Sequence, residues 1–300
     1  MQPSGLSSVK LADFLGLKHV GKEVLEICGA TTIDAPKNQH LAFCNSASSE
    51  SIKHWLQASG VIIGPVDLVV GEDCALLVSE NPRRDFGRAV SEFFLLKTNP
   101  AISSSALIDP TASIGMNVSI GHNVVIESDV IIGSHTVIGH NSTILARTII
   151  GEHCVVGSNT VLGSLGFGFE QDEAGEWVRL PHIGNLCIED QVEIGSSTVI
   201  ARGTIAETRI SRNCKIDDNV FIAHNVFLGE NCVVIANAEI SGSVVVGRNC
   251  WVGPASTIIQ GLQIGQNSLI GIGSVVIKDV EENAVVAGNP AKILRKQDPR

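Results

Sequence analysis

Positive charge and long apolar runs are both scarce in this sequence of 300 residues. Lys and Arg number 21 against 31 Asp and Glu, so the formal net charge is −10. Because no basic stripe is present to neutralise phosphates, we expect no nucleic-acid partner. The longest apolar runs have the length of short strands, so we expect no membrane span. The first residues, Met-Gln-Pro-Ser-Gly-Leu, do not match a signal peptide.

The sequence also lacks a Cys-x-x-Cys motif, although it contains eight cysteines. Cys214, Cys232 and Cys250 follow one another at equal intervals, and Cys154 has the equivalent position in an earlier repeat. This spacing is typical of small apolar residues in a packed core. We therefore expect free thiols and a reducing compartment, the cytoplasm.

A six-residue repeat of aliphatic side chains is the strongest pattern in the sequence. A period of six is typical of a parallel β-helix, in which three short strands form a coil of about 18 residues. The longest array has twelve aliphatic positions: Ile210, Ile216, Ile222, Leu228, Val234, Ile240, Val246, Val252, Ile258, Ile264, Ile270 and Val276.

Two earlier arrays extend the repeat towards the N-terminus. The first keeps its phase from Ile102 to Leu162, and the second contains Ile188, Ile194 and Ile200. A short slip separates the second array from Ile210. The segment at residues 163–187, between the first two arrays, is too long for a turn, so we expect it to leave the prism. Long loops on rigid scaffolds are often functional, and a subunit contact is the alternative.

Residues 1–98 lack the repeat, and alternating strands and helices predict a small α/β domain there. One helix follows Ser7 and ends at Gly16; another is capped by Asn81, begins at Pro82 and continues to Leu96. Residues 49–58 form an amphipathic segment. The predicted strands are Val24–Cys28, Leu41–Cys44, Val61–Ile63 and Ala75–Val78.

Several motifs resemble the UDP-3-O-(3-hydroxyacyl)glucosamine N-acyltransferases of lipid A synthesis, a family of trimeric hexapeptide acyltransferases. Two of them, His40-Leu-Ala-Phe-Cys-Asn and Ala75-Leu-Leu-Val-Ser-Glu-Asn-Pro, precede the repeats. The others are Gly163-Ser-Leu-Gly-Phe-Gly-Phe, Trp177-Val-Arg-Leu-Pro-His-Ile-Gly, Val192-Glu-Ile-Gly, Ala201-Arg-Gly, Lys215-Ile-Asp, Ile222-Ala-His-Asn-Val and Ile240-Ser-Gly-Ser.

The resemblance implies a left-handed parallel β-helix and three regions. Residues 1–98 would bind a nucleotide sugar, residues 99–280 would form the acyltransferase β-helix, and residues 281–300 would form a cap or tail. The implied enzyme is a homotrimer. It transfers a 3-hydroxyacyl group from an acyl thioester, carried by acyl carrier protein or CoA, to the amine of a UDP-linked amino sugar.

His224 is the expected general base of that reaction. It lies two residues after the inward Ile222, so it lies at a turn, where a neutral imidazole can take a proton from an attacking amine. Asp217 is expected to fix its tautomer. Gly242, one coil later, is expected to donate its N–H to the oxyanion, a role that the family assigns to this glycine. The alternative is a solvated turn histidine.

The expected substrate-binding residues lie in both domains. Phe43 is expected to stack on a uracil ring, with Asn45 or Ser46 bonded to its edge; a core phenylalanine is the alternative. The resemblance also implies substrate contacts for Phe167 and Asn225.

A metal site is a further alternative, because some solenoids of this fold are zinc enzymes. Such a site needs three converging histidines, whereas a regular coil places Ala206 before His224 and Gly242 after it. We therefore expect no metal and no cofactor. The candidate pairs, each separated by one coil, are His122 with His140 and His135 with His153.

The resemblance is incomplete at four places. The family's second histidine falls at Gly261, its uracil-stacking tyrosine falls near Ser49 in a chain without tyrosine, and the aspartate before Arg-Gly is Ala201. In place of a basic C-terminal helix, the end from Ala287 resembles acetyl-CoA-dependent transferases. An acyl- or acetyl-CoA-dependent amino-sugar acyltransferase of surface polysaccharide synthesis therefore stays an alternative, as does a catalytically silent scaffold.

Overall fold

The computed structural model describes residues 5–47, 50–95 and 99–296, and the chain divides into two compact units, residues 1–98 and 99–300. The first unit has a five-stranded sheet in the order β1-β5-β4-β3-β2, in which only the β1–β5 pair is antiparallel. Its elements are α1 (Ser8–Leu15), β1 (Lys18–Gly21), β2 (Gly29–Ala30), β3 (His40–Phe43), a 3₁₀ helix (Glu50–Gln57), β4 (Val61–Gly64), β5 (Ala75–Val78) and α2 (Pro82–Phe93).

Both faces of this sheet are buried. Successive side chains of a strand point to opposite faces, so Val61 and Ile63 pack with α1 and α2 while Ile62 packs with the 3₁₀ helix. Trp55 of that helix is fully buried, and its indole N–H donates to the Ile33 carbonyl at 2.7 Å.

Two predictions for this unit need correction. Val24–Cys28 is not a strand. The backbone N–H of Ile27 donates to the Leu6 carbonyl, and Glu26 forms one isolated β-bridge with Ser7. The strands β1 and β2 were not predicted, because neither shows apolar alternation. Both helix starts are confirmed, with Ser7 and Asn81 as N-caps. The predicted continuation of the second helix to Leu96 is wrong, because α2 ends at Phe93 with Phe94 as its C-cap; Leu96 itself lies outside the described residues.

The second unit is a parallel β-helix with three sheets along its sides, which confirms the predicted architecture. Its left-handed sense stays an expectation. One sheet contains Ser113–Ile114, Ile131–Ile132, Thr148–Ile150, Leu186–Ile188, Thr208–Ile210, Phe227–Leu228, Val245–Val246 and Gln263–Ile264. The second contains Leu107–Ile108, Val125–Ile126, Thr143–Ile144, Val161–Ser164, Val199–Ala201, Phe221–Ile222, Glu239–Ile240, Thr257–Ile258 and Val275–Val276. The third contains Ser119–Ile120, Val137–Ile138, Val155–Val156, Glu193–Ile194, Lys215–Ile216, Val233–Val234, Trp251–Val252, Leu269–Ile270, Ala284–Ala287 and Lys292–Lys296.

The repeat residues form a continuous core. The aliphatic positions from Ile120 onward are each at most 4% exposed, because every coil is covered by the next. Ile102, Ile108 and Ile114 are not buried, because they belong to the first coils of the unit. The thiols of Cys154, Cys214, Cys232 and Cys250 are free and buried inside the coils, as predicted.

The strand register shows how the two interruptions of the repeat are accommodated. Ile222 pairs with Ile240, its equivalent in the next regular coil. Leu162 pairs with Ile200, so the excursion is inserted into a single coil, and the register shifts only between Leu162 and Ser164, where the excursion begins. Ile200 pairs with Ile222, so the slip before Ile210 lengthens the next coil. Arg202, rather than Ala206, therefore lies one coil before His224.

The C-terminal segment closes the described part of the prism. Ala284–Ala287 continues the third sheet in parallel, and Lys292–Lys296 adds an antiparallel strand at its edge. Within the described ranges no helix has the length and apolarity needed to cross a membrane.

Candidate active site

His224 lies at a turn of the prism, directly after the strand Phe221–Ile222, and is partly buried. Its Nδ1 lies 3.0 Å from Asn225 Oδ1. The backbone N–H of Thr204 also donates to Asn225 Oδ1, at 3.1 Å, which identifies this atom as an acceptor. His224 Nδ1 therefore carries the proton, and Nε2 has a free lone pair when the ring is neutral.

Thr204 and Thr208 hold Asn225 in place. The Thr204 hydroxyl donates to Asn225 Oδ1 at 2.8 Å, and the Asn225 N–H donates to the Thr208 hydroxyl at 2.8 Å. Asn225 adopts φ 60°, a left-handed conformation that asparagine tolerates better than most residues. The prediction placed Asn225 against the substrate; the structure places it against His224.

Asp217 does not contact His224, contrary to the prediction. Its two carboxylate oxygens accept hydrogen bonds from the backbone N–H groups of Asp218 and Ala236, at 2.9 and 3.2 Å. The carboxylate therefore stabilises turns of the prism. Asn225, the residue after His224 in the chain, orients the imidazole instead.

Gly242 lies directly beside the His224 ring, as the coil spacing predicted. A Cβ at Gly242 would lie 2.7 Å from Cε1 and 2.9 Å from Nε2 of His224, so only glycine allows this approach. Among the described residues, no backbone acceptor bonds the Gly242 N–H. This N–H is therefore available to a group that binds next to the imidazole.

The excursion at 163–187 folds back onto His224. Gly166 of the excursion lies between the rings of His182 and His224. A Cβ on Gly166 would clash with His182 Nε2 and would lie 2.9 Å from His224 Cδ2. The excursion also contains a short antiparallel hairpin, Phe169–Gln171 with Trp177–Arg179. The predicted departure from the prism is therefore correct, and the excursion forms one wall of the candidate site.

His182, which the sequence analysis did not select, is the second imidazole of this site. Its ring centroid lies 5.1 Å from that of His224, with an angle of 71° between the ring planes. His182 is 5% exposed. Burial lowers the pKa of His182 below its ordinary value of 6.5. The hydrogen bond to the Leu180 carbonyl raises this pKa, and the nearby His224, Arg179 and Arg202 lower it further. The motif ending Leu-Pro-His was visible, but its contact with His224 depends on the fold of the excursion.

Arg202 anchors the beginning of the excursion. It is 7% exposed, and it donates from Nε to the Gly163 carbonyl at 2.7 Å and from Nη2 to the Ala146 carbonyl at 2.9 Å. Burial lowers the pKa of this guanidinium. At the other end of the excursion, the N–H groups of Ile183 and Gly184 donate to the Thr204 carbonyl, so Thr204 supports both the excursion and Asn225.

Three aromatic residues of the excursion, Phe167, Phe169 and Trp177, line an apolar cavity of about 440 Å³. Phe167 is 84% exposed, and the Arg179 guanidinium lies 4.4 Å from the centre of the Phe169 ring. The predicted substrate contact of Phe167 remains a proposal; its neighbour Gly166 is beside His224.

The N-terminal unit has its own cavity, of about 670 Å³, and the three predicted residues Phe43, Asn45 and Ser46 line it. Phe43 is half-buried and packs against Phe86 of α2, with 4.9 Å between ring centroids. Ser49, where the family's tyrosine falls, lies outside the described residues.

The two histidine pairs on the prism are stacked rings. His135 and His153 are 4.8 Å apart and almost parallel, and His122 and His140 are 5.2 Å apart. The described part of the chain has no group of three or more His, Cys, Asp or Glu side chains that could hold a metal ion.

Comparisons with known proteins agree with this architecture. A family model described as the GMPPB C-terminal domain matches residues 98–207, and one described as the hexapeptide repeat of succinyl-transferase matches 225–254 and 243–278. Among solved structures, LpxA from Acinetobacter baumannii has a TM-score of 0.60 and 27% identity, over 65% of this chain and 74% of that one. UDP-N-acetylglucosamine acyltransferase from Campylobacter jejuni has a TM-score of 0.59 and 28% identity, over 65% and 75%.

Two relatives carry the same name, UDP-3-O-acylglucosamine N-acyltransferase. The protein from Coxiella burnetii is 51% identical over 70 residues, which are 23% of this chain and only 20% of that relative's length. The protein from Syntrophobacter fumaroxidans is 42% identical over 243 residues, covering 74% of this chain and 67% of the relative. The chain therefore belongs to the family of UDP-3-O-acylglucosamine N-acyltransferases.

Proposed function

We propose that this chain transfers a 3-hydroxyacyl group from an acyl carrier protein thioester to the amine of a UDP-linked 3-O-acylglucosamine, in lipid A synthesis in the cytoplasm. The observation that carries the proposal is the contact between His224 Nδ1 and Asn225 Oδ1, 3.0 Å, with Gly242 beside the other ring nitrogen. Asn225 Oδ1 accepts from Nδ1, so Nε2 is the basic nitrogen and lies beside Gly242.

The proposed reaction is a direct transfer. The amine nitrogen attacks the thioester carbonyl carbon, and His224 Nε2 takes a proton from that nitrogen. The carbonyl oxygen becomes an oxyanion and accepts a hydrogen bond from the Gly242 N–H. The C–S bond then breaks, and the imidazolium returns the proton to the leaving thiolate. The products are an amide and a free thiol.

The second unit supplies the acyl-transfer chemistry in this proposal, and the first unit binds the nucleotide. The aromatic and apolar walls of the N-terminal cavity suit a nucleotide base, with Phe43 against its face and Asn45 or Ser46 at its edge. The functional assembly is proposed to be a homotrimer.

A comparison of donors tests the proposed function. The purified chain is assayed with UDP-3-O-acylglucosamine and matched acyl chains on acyl carrier protein and on CoA. We expect amide formation with the carrier-protein thioester. Turnover with CoA thioesters alone would favour the acyl-CoA-dependent alternative, and no amide with either donor would contradict acyl transfer.

A further inference from the structure

We propose that His182 is a substrate-positioning residue of the acyl-transfer site, whose Nε2 accepts a hydrogen bond from the second N–H of the attacking amine. This inference rests on the proposed function. It assigns a role to a histidine whose ring is buried in the excursion next to His224.

The first observation is an unpartnered acceptor. His182 Nδ1 lies 2.9 Å from the Leu180 carbonyl oxygen, so Nδ1 carries the proton and Nε2 has the lone pair. His182 Nε2 is buried and has no hydrogen-bond partner among the described residues. Buried polar atoms are almost always bonded, and an unpaired one costs free energy. A ligand that donates to Nε2 would remove this cost.

The second observation is the geometry of the two imidazoles. His182 and His224 meet edge to face at 5.1 Å, and one position, a Cβ on Gly166, would contact His182 Nε2 and His224 Cδ2 together. The two imidazoles therefore flank one position beside Gly166, and Cδ2 of His224 is the ring atom bonded to its Nε2. A nitrogen bound at this position is next to His182 Nε2 and to the Nε2 edge of the His224 ring.

The third observation is that two glycines cover the His182 ring. Gly166 and Gly168 lie against its ring, and a Cβ on Gly168 would lie 2.9 Å from Cε1. Because neither residue has a side chain, only backbone covers Nε2, and the proposed contact requires this backbone to shift. The Gly166 carbonyl accepts a hydrogen bond from Arg179 Nη1 at 3.3 Å, which holds the backbone in its present position.

The chemistry gives this acceptor a specific purpose. A neutral amine has two N–H bonds: one proton goes to His224, and the other needs an acceptor if the nitrogen lone pair is to point at the thioester carbon. A hydroxyl nucleophile has a single proton and would leave His182 Nε2 unpaired. The site therefore favours an amine over a hydroxyl at the reacting position.

Two substitutions of similar length separate this role from packing. His182→Gln keeps an acceptor, and His182→Met removes it. With the amine substrate we expect His182→Met to lower kcat on the order of 10–10²-fold and His182→Gln to stay within about fivefold of wild type. The exposed His153, changed to Gln, is the control and should leave kcat unchanged.

The ¹⁵N chemical shift of His182 Nε2 reports directly on hydrogen bonding to this atom, and a role in packing alone would not change it. In protein labelled with ¹⁵N-histidine, we expect the His182 Nε2 resonance to shift when UDP-3-O-acylglucosamine is added, and not with the analogue that has a hydroxyl in place of the amine. This measurement uses wild-type protein, so it also decides the question if His182→Met does not fold.

The outcomes separate the inference from the proposed function. Equal kcat values for wild type, His182→Met and His182→Gln, or an equal loss in both variants, would overturn the role of His182 while amide formation by wild type still stands. An Nε2 resonance that responds alike to amine and hydroxyl would also overturn it. If wild type forms no amide, the proposed function fails, and this inference fails with it.

Discussion

At the scale of single residues, the site depends on glycines that allow side chains to approach. Gly242 and Gly166 each leave room for an imidazole that a methyl group would displace. Asn225 then fixes which nitrogen of His224 is basic. His224 and Gly242 were predictable because both follow from the coil spacing. The predicted contact of Asp217 with His224 is absent from the chain, because turn amides occupy this carboxylate, which sequence position does not show.

Replacing Gly242 by alanine should move the His224 ring. The added Cβ would lie 2.7 Å from Cε1, closer than a carbon–carbon contact allows, while the backbone there can accept alanine. We expect Gly242→Ala to lower kcat on the order of 10²-fold, with the fold retained by circular dichroism. The neighbouring Ser243→Ala is the control; if both variants keep wild-type turnover, the proximity of Gly242 has no catalytic effect.

His182 should make stability depend on pH. Its pKa in the folded protein lies below the ordinary 6.5 because burial, with smaller effects of His224, Arg179 and Arg202, outweighs the opposing hydrogen bond to the Leu180 carbonyl. The unfolded chain therefore binds a proton that the folded chain does not, so its contribution is complete above pH 6.5 and is lost as pH falls towards the folded pKa. We expect the melting temperature of wild type to fall more than that of His182→Gln between about pH 7 and pH 5. Parallel curves would contradict this assignment.

At the scale of elements, the strands of the prism were predictable and the excursion was not. Strands such as Phe221–Ile222 and Glu239–Ile240 follow from a repeat that keeps its phase for many coils. The excursion interrupts that phase, so its length was visible but its fold over His224 was not. Because of the slip before Ile210, Arg202 occupies the position one coil before His224, whereas a regular coil would place Ala206 there. In the N-terminal unit, β1 was missed because its residues are mostly exposed.

Arg202 should hold the excursion at residues 163–187 in its folded conformation. Arg202→Ala removes the two donors that hold the Gly163 and Ala146 carbonyls and leaves a cavity in a buried site. We expect a loss of roughly 1–3 kcal/mol in the free energy of unfolding and faster proteolysis within residues 163–187. The exposed Arg248→Ala is the control. Equal proteolysis of both variants would show that the anchor lies elsewhere.

At the scale of the whole molecule, the β-helix gives rigidity to a site assembled from distant segments. His224 and Gly242 meet because the coils stack in a fixed register, and His182 joins them because the excursion folds back onto this turn. Preorganised donors and acceptors of this kind contribute to catalysis because they need no rearrangement when charge develops. The cavity lined by Phe43 belongs to the other unit, and its use for the nucleotide of the same substrate is part of the proposal.

The trimer is a prediction of the family relationship. Exposed apolar side chains such as Ile131 on a prism strand, Ile183 in the excursion and Ile205 in the slip before Ile210 are candidates for burial against a second copy of the chain. We expect sedimentation equilibrium to give three times the mass of one chain at micromolar concentration. A monomer under those conditions would contradict the proposed assembly.

The measurement that tests the account most directly is the rate of amide formation by His224→Ala. Wild type, His224→Ala and the exposed-histidine control His153→Ala are compared with a carrier-protein thioester and UDP-3-O-acylglucosamine at saturating concentrations. The proposed general base predicts a loss on the order of 10²–10⁴-fold in His224→Ala, with melting temperature and the control's rate unchanged. A rate within about threefold of wild type would contradict the central role of His224.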